Sequence, residues 1–261
     1  MGRNKYYYLI RLQYLGFRYS GWQKQPHQRT IEGMVTKTLK FVLNGQKFKI
    51  LGAGRTDAKV SAANTAFELF LEEAPIENYG KFLDDFNKNL PPDIRALEFS
   101  EVDSSFNIIQ HAKTKEYVYL FSFGAKNHPF CAPYMANFQE NLAIDLMKEG
   151  AQLFVGTHDF SAYTARLRAN TDVMRTIDSC EIRPNTLLTA NFFPTTSYAL
   201  YVTGEGFMRY QIRMIMGALV QLGRKELSIR EIKESLYEDN NAQLTFVAPG
   251  SGLLLNHLEF K

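Results

Sequence analysis

The chain has 261 residues, of which 45% are apolar, and its formal net charge is +3. This length and composition predict one large folded domain or two smaller ones, and they exclude a disordered chain. The two cysteines, Cys131 and Cys180, form no disulfide framework or metal-ligand pattern. The apolar runs are shorter than the ~18 residues of a membrane span, and the N-terminus lacks a signal-peptide core. We therefore expect a cytoplasmic protein without a membrane segment.

Charge is strongly segregated along the chain. Residues 1–60 contain twelve Lys and Arg against two acidic residues, whereas residues 61–108 contain three against ten. Aromatic residues such as Tyr14, Tyr19 and Trp22 interleave with the cations of the basic segment. Exposed rings beside cations suit stacking on bases and contact with phosphates, so this segment predicts polyanion binding. The alternative is an ordinary solvated face.

The first half of the chain predicts the order strand, helix, strand, strand, helix, strand. Alternating apolar residues from Tyr6 to Tyr14 indicate the first strand, and Thr30 is suited to cap the first helix. Further strands are predicted at 47–51, 65–71 and 94–102, and a second helix at 76–89.

The second half predicts a similar order. The predicted strands are 115–123, 176–182, 198–204 and 252–260, and the predicted helices are 141–154, 207–222 and 228–237. The repeated order predicts an α+β fold with two ferredoxin-like β-α-β-β-α-β halves, 1–105 and 106–261. We expect mainly antiparallel sheets and a central active-site cleft.

A glycine-hinged loop between two predicted strands carries one acidic and two basic side chains, Asp57, Arg55 and Lys59. Loops at strand ends often hold functional residues. The alternative is a surface ion pair between Arg55 and Asp57, worth about 0 to 1 kcal/mol. Residues 54–62, GRTDAKVSA, resemble the signature GRTDAGVHA of the tRNA pseudouridine synthase A family. The departures are Lys59 for Gly and Ser61 for His.

Arg213 and Tyr117 are two further candidate site residues. After Arg213 no charged residue occurs until Arg224, and an unpaired buried charge costs several kcal/mol. Arg213 therefore needs a carboxylate, for which Asp57 is our candidate, unless its side chain extends to the surface. Tyr117 begins a predicted strand of alternating aromatic residues. These stretches resemble the family's aliphatic-Arg pair and its basic-x-Tyr-x-Tyr strand.

The resemblance runs from the first predicted strand to the last. The opening segment matches the family, with Leu15 and Phe17 in place of its Asp and Thr, and residues 156–163 and 248–253 match two later motifs. The four departures surround the expected substrate cleft. They bear on which RNA is modified.

The resemblance implies a synthase that isomerises uridine to pseudouridine in the tRNA anticodon stem-loop, at positions 38, 39 and 40. It implies Asp57 as the nucleophile, Arg213 as its ion-pair partner, Tyr117 stacked on the target uracil and Arg55 at the substrate. It also implies a homodimer, with no metal and no small-molecule cofactor. The residues expected to contact RNA are Arg11, Arg18, Trp22, Lys24, Arg29, Lys37, Lys40 and Lys59.

Two alternatives retain the fold but change the function. One is a catalytically inactive RNA-binding relative, and the other is a synthase that acts on another RNA. A glycosidase of small sugars or nucleosides is disfavoured, because no second acid is apparent for the carboxylate pair of that chemistry.

Overall fold

The structure is a computed structural model that describes residues 5–165, 167, 171–237 and 244–261. The chain divides into two compact units. The first takes the chain up to Lys113 together with Leu255–Lys261, and the second is Thr114–Leu254. Both units combine mostly antiparallel strands with a few helices. None of the helices within the described residues is both long enough and apolar enough to cross a membrane.

The regular elements follow one another as β1 (Tyr6–Tyr14), α1 (Ile31–Val42), β2 (Phe48–Gly52), β3 (Ser61–Leu71), α2 (Tyr79–Asn89), β4 (Ile94–Glu101), β5 (Ala112–Phe123), β6 (Ala136–Phe138), α3 (Ile144–Gln152), β7 (Gly156–Asp159), β8 (Met174–Ile177), β9 (Ser179–Pro184), β10 (Tyr198–Gly204), α4 (Gln211–Gly223), α5 (Ile229–Glu234) and β11 (Leu253–Phe260).

In the first unit, β1 lies between β3 and β4 and is antiparallel to both. β2 pairs with β3, also antiparallel, and β11 lies on the far side of β3 from β1. The two helices pack against each other, and Phe86 of α2 meets Phe67 of β3 edge-on, with ring centroids 6.5 Å apart. The core of this unit therefore forms between the helices and the sheet.

The predictions for the first unit are confirmed in most details. The first strand has the predicted bounds, and the Thr30 hydroxyl caps α1 by accepting from the Gly33 N–H at 3.2 Å. The second helix begins at Tyr79 instead of residue 76, because the Asn78 side chain caps it by accepting from the Lys81 N–H. A side-chain cap thus marks the start of both α1 and α2.

In the second unit, β10 lies between β5 and β9 and is antiparallel to both, while the short β6 is parallel to β5. β7 and β8 form a separate antiparallel pair. Helices α3 and α4 pack closely, because Gly150 of α3 leaves room for Leu219 and Leu222 of α4. Nearly the whole length of α4 is buried.

Two predictions for the second unit are wrong in detail. The strand expected at 176–182 is two strands, β8 and β9, which break at Asp178, where the N–H donates to the Thr203 carbonyl at 2.8 Å. The helix expected from residue 207 begins at Gln211, because Tyr210 has a left-handed backbone with φ 67°. Strands β6 and β7 were not predicted, since three or four residues are too few to show an alternating pattern.

Candidate active site

Asp57 lies half-buried at the start of a tight turn in the first unit. The Val60 N–H donates to the Asp57 carbonyl at 3.2 Å and closes the turn. Lys59, the third residue of this turn, has φ 67°, a conformation that favours glycine. The turn geometry therefore explains why the family signature has glycine where this chain has lysine.

The Asp57 loop is attached along its length to residues 14–22. The Thr56 carbonyl accepts from the Trp22 N–H at 3.0 Å, and the Thr56 hydroxyl lies 2.9 Å from that of Tyr14. Beyond Asp57, the Lys59 N–H donates to the Tyr19 carbonyl at 3.0 Å. These bonds on both sides of Asp57 hold its backbone in one position.

Trp22 packs against this loop, and its ring is buried. Its residue is 3% exposed, and a Cβ on Gly52 would lie only 2.6 Å from the ring. Tyr14 and Tyr19 are buried as well. The expectation that these three rings are exposed for base stacking is wrong, because the first unit uses their large apolar surfaces for its core. Among the four rings at residues 14, 17, 19 and 22, that of Phe17 stays partly exposed.

Two of the cations expected to contact RNA converge on Asp93. Arg18 donates to one Asp93 oxygen through Nε at 3.0 Å and through Nη2 at 2.6 Å, and the Tyr19 hydroxyl donates to the other at 2.5 Å. The Arg29 guanidinium lies over the Tyr19 ring at 4.8 Å and 3.9 Å from Asp93. Burial opposes the charge on Asp93, but these hydrogen bonds lower its pKa below the ordinary value.

The remaining cations fall into two groups. Arg11 is tied into the sheet, because its Nη1 donates to Asn64 at 3.0 Å and to the Leu258 carbonyl at 3.1 Å. Its Nε also lies 3.6 Å from Glu98. The other group consists of exposed residues, namely Lys24, Lys37, Lys40, Arg55 and Lys59. Exposed cations are the ones best placed to meet a phosphate.

Tyr117 lies on β5 in the second unit, with its ring edge-on to Phe207 at 5.4 Å. Two residues further along the strand, the Tyr119 hydroxyl donates to the Pro249 carbonyl at 2.8 Å. Tyr119 is fully buried, and burial raises its pKa far above the ordinary value. Tyr119 is therefore structural, as expected for the aromatic residues that follow Tyr117.

Arg213 lies on α4 and is fixed by residue 248. Its Nε donates to the Ala248 carbonyl at 2.8 Å, while the Ala248 N–H donates to the Arg213 carbonyl at 3.0 Å. The guanidinium lies 4.9 Å from the ring centroid of Tyr210. The motif at 248–253 thus has a physical role that its sequence did not reveal, because it positions this arginine.

Lys115, which is half-buried, and Glu68, which is buried, are ionisable residues that the sequence did not single out. Lys115 precedes Tyr117 by two residues on β5, and burial lowers its pKa. Glu68, on β3 in the first unit, is 1% exposed, and burial raises its pKa. Alternation places Lys115 on the same face as Tyr117 and Tyr119, and that signal could have found it. Glu68 alternates with Phe67 and Leu69, so the pattern gives no sign that it is buried.

The polar side chains of the motif at 156–163 make hydrogen bonds within their own stretch of chain. The Asp159 carboxylate accepts from the Ser161 N–H at 2.7 Å, and the His158 Nε2 donates to the Val155 carbonyl at 2.9 Å. Within the described part of the chain, no group of three His, Cys, Asp or Glu residues could hold a metal ion.

Comparison with known proteins identifies the family. A family described as tRNA pseudouridine synthase matches residues 151–261. A protein of Bacillus cereus named tRNA pseudouridine synthase A 2 is 30% identical over 97% of this chain and 99% of its own length. A protein of Bacillus sp. strain KSM-64 named tRNA pseudouridine synthase A is 32% identical over 97% of this chain and 99% of its own length. A protein of Streptococcus agalactiae with the same name is 30% identical over 97% of this chain and 95% of its own length.

The class of protein is thus a pseudouridine synthase, which is an isomerase. The chain belongs to the tRNA pseudouridine synthase A family.

Proposed function

We propose that this enzyme converts uridine to pseudouridine in the anticodon stem-loop of tRNA, and that Asp57 carries the reaction. The observation that supports this most directly is the Asp57 turn, whose backbone is fixed by hydrogen bonds from Trp22 and to Tyr19. A fixed carboxylate is what a nucleophile or base aimed at one atom requires. The names of the relatives supply tRNA as the substrate class.

The reaction breaks the bond between uracil N1 and ribose C1′, turns the base, and joins C5 to C1′. C5 loses its hydrogen as a proton and N1 gains one, so substrate and product are isomers and no oxidant or reductant is needed. The Asp57 carboxylate acts at the ribose, either by attacking C1′ or by removing a ribose proton. Both routes need Asp57 ionised when the substrate binds.

We assign Arg213 as the ion-pair partner that keeps Asp57 ionised. This role is supported by the hydrogen bond from Arg213 Nε to the Ala248 carbonyl, which fixes the direction of the planar guanidinium, and a guanidinium can grip a carboxylate through two parallel hydrogen bonds. Tyr117 stacks on the detached uracil, with Phe207 setting the angle of its ring. Arg55 contacts the substrate beside Asp57, and its exposure supports this role.

We propose two ferredoxin-like halves, 1–105 and 106–261, as the functional domains. The order β1, α1, β2, β3, α2, β4 supports this for the first half. We further propose that two copies act together as a homodimer in the cytoplasm. The argument is one of size, because a folded tRNA is longer than one such half, and a second subunit can hold its body.

The experiment uses a tRNA transcript with tritium at uracil C5, incubated with the purified enzyme alone. We expect release of tritium to water, since C5 loses its hydrogen. Asp57→Asn should abolish release and leave tRNA affinity within a few-fold. Asp145→Asn is the matched control, because its carboxylate pairs with Lys148 on the surface of the second unit.

Absence of release by the wild-type enzyme from any tRNA would refute the proposal. Tight binding of tRNA without release would instead support the inactive RNA-binding relative. Turnover by Asp57→Asn would refute the assignment of the nucleophile alone.

A further inference from the structure

The backbone of Lys59 has a conformation that lysine adopts less readily than glycine. A lysine at φ 67° in the third position of a turn is less stable than the glycine of the family signature. Among the described residues, Lys59 makes no ion pair, and its residue is exposed. Strain that is retained beside a reacting group points to a function for the side chain.

Phe17 is the side chain that Lys59 meets. The Lys59 ammonium lies 5.7 Å from the centroid of the Phe17 ring, within the range of a cation–π contact. Phe17 itself stands where the family has threonine. Two departures from the family pattern, 42 residues apart in sequence, are therefore in contact.

The other two departures lie in the same contact region. The Gly16 N–H, between Leu15 and Phe17, donates to the Ser61 hydroxyl at 2.9 Å. A Cβ on Gly16 would lie 1.9 Å from the Val60 carbonyl oxygen, so residues 15–17 press directly on residues 60–61. The four departures thus belong to two facing segments of the first unit.

Lys59 is also close to the reacting group. It is two residues from Asp57, so their Cα atoms are at most about 7 Å apart. A phosphate adjoins the ribose of every nucleotide in the chain, on both sides. A lysine side chain can reach such a phosphate while Asp57 lies at the ribose.

We propose that Lys59 binds a backbone phosphate next to the target uridine, and that Phe17 is the positioning residue that holds Lys59 for this contact. The proposal rests on the proposed function, because it places the RNA at Asp57. The strained turn then directs the ammonium toward the RNA, at a cost in stability that a glycine would avoid. The contact is a feature of this chain, since the family signature has no cation at this position.

The test compares Lys59→Gly with Lys225→Gly. Lys225 is a matched control, because it is an exposed lysine with φ 63° in the second unit. Both variants relieve the same backbone strain, so each should unfold at the same or a higher temperature than the wild type. Only Lys59→Gly should bind tRNA more weakly. For this variant the slope of log binding constant against log salt concentration should be smaller in magnitude by about 0.7 to 0.9, the value for one lost phosphate contact.

Two further variants separate charge from position. Lys59→Arg keeps the charge and should retain the salt slope. Phe17→Thr should weaken binding less than Lys59→Gly does, and the double variant should bind no more weakly than Lys59→Gly alone, because Phe17 acts through Lys59.

An unchanged affinity and salt slope for Lys59→Gly would overturn the inference, as would an equal effect of Lys225→Gly. Binding is measured without turnover, so the comparison holds if the enzyme binds tRNA but releases no tritium, and then only the proposed function fails. Absence of salt-dependent tRNA binding by the wild type would overturn both.

Discussion

At the scale of single residues, Arg213 is held by contacts that a lysine cannot reproduce. Its Nε donates to the Ala248 carbonyl, and the rest of the planar group lies over Tyr210. Arg213→Lys removes this Nε donor and the fork that grips a carboxylate. Because hydrogen bonds to charged groups contribute about 1.5 to 3 kcal/mol, we expect kcat/KM for tritium release to fall by about 10- to 100-fold.

The control for this prediction is Arg230→Lys. Arg230 is an exposed arginine of α5 that pairs with Glu234, so its replacement should leave kcat/KM unchanged. An Arg213→Lys enzyme as active as Arg230→Lys would show that the planar fork is unnecessary.

Glu68 is predicted to make stability depend on pH. The Glu68 residue is 1% exposed, one of its carboxylate oxygens has no hydrogen-bond partner among the described residues, and burial raises its pKa. A raised pKa means that the folded state binds the proton more tightly, so this contribution to stability is complete below the pKa of the unfolded chain. It is lost as the pH rises through the folded pKa.

Glu68→Gln keeps the shape and cannot ionise. The wild type should therefore lose stability relative to this variant as the pH rises. The difference in free energy of unfolding, variant minus wild type, should increase with pH above about pH 4, which is near the ordinary pKa of glutamate. Urea titrations at several pH values measure it. A difference that stays constant with pH would mean that folding does not raise the pKa of Glu68.

At the scale of elements, the contact of Gly16 with Val60 leaves the least room for a side chain among the glycines of the described residues. A Cβ at residue 16 would lie 1.9 Å from a backbone oxygen, and backbone cannot move aside as a flexible side chain does. We expect Gly16→Ala to lower the free energy of unfolding by at least about 2 kcal/mol and to displace the Asp57 turn, with loss of turnover.

Gly80→Ala is the matched control for Gly16→Ala. Gly80 lies in the first turn of α2, where a Cβ would meet only the Asn78 side-chain oxygen at an ordinary 3.7 Å. Alanine there should raise the free energy of unfolding by about 0.4 to 1 kcal/mol. Equal stability of the two variants would contradict the close approach at Gly16.

At the scale of the whole molecule, the proposed homodimer and the salt dependence of tRNA binding can both be tested. Several lysines of the first unit are exposed, among them Lys24, Lys37 and Lys40, and exposed cations can meet the phosphates of tRNA. We expect light scattering to give twice the mass of one chain. We also expect tRNA binding to weaken with added salt, with a slope of log binding constant against log salt concentration on the order of several units. A monomer that still modifies full-length tRNA would exclude the two-subunit arrangement and leave the role of Asp57 intact.

Local sequence determined the elements whose signals lie within a few residues. The alternation from Tyr6 to Tyr14 predicted β1 with its observed bounds, and the Thr30 cap predicted the start of α1. The resemblance of residues 54–62 to the family signature supplied Asp57 as the candidate nucleophile. The tight turn at Asp57 and the positive φ of Lys59 are local properties of the same stretch. These signals hold because strand period and helix capping depend on neighbouring residues.

Tertiary structure alone decided how the side chains of the site are used. Arg18 is 75 residues from the Asp93 that binds it, and Arg213 is 35 residues from the Ala248 carbonyl that holds it. Trp22 was expected on the surface and lies in the core, packed on Gly52. Such contacts depend on which segments meet when apolar surface is buried, and a local pattern carries no record of the partner.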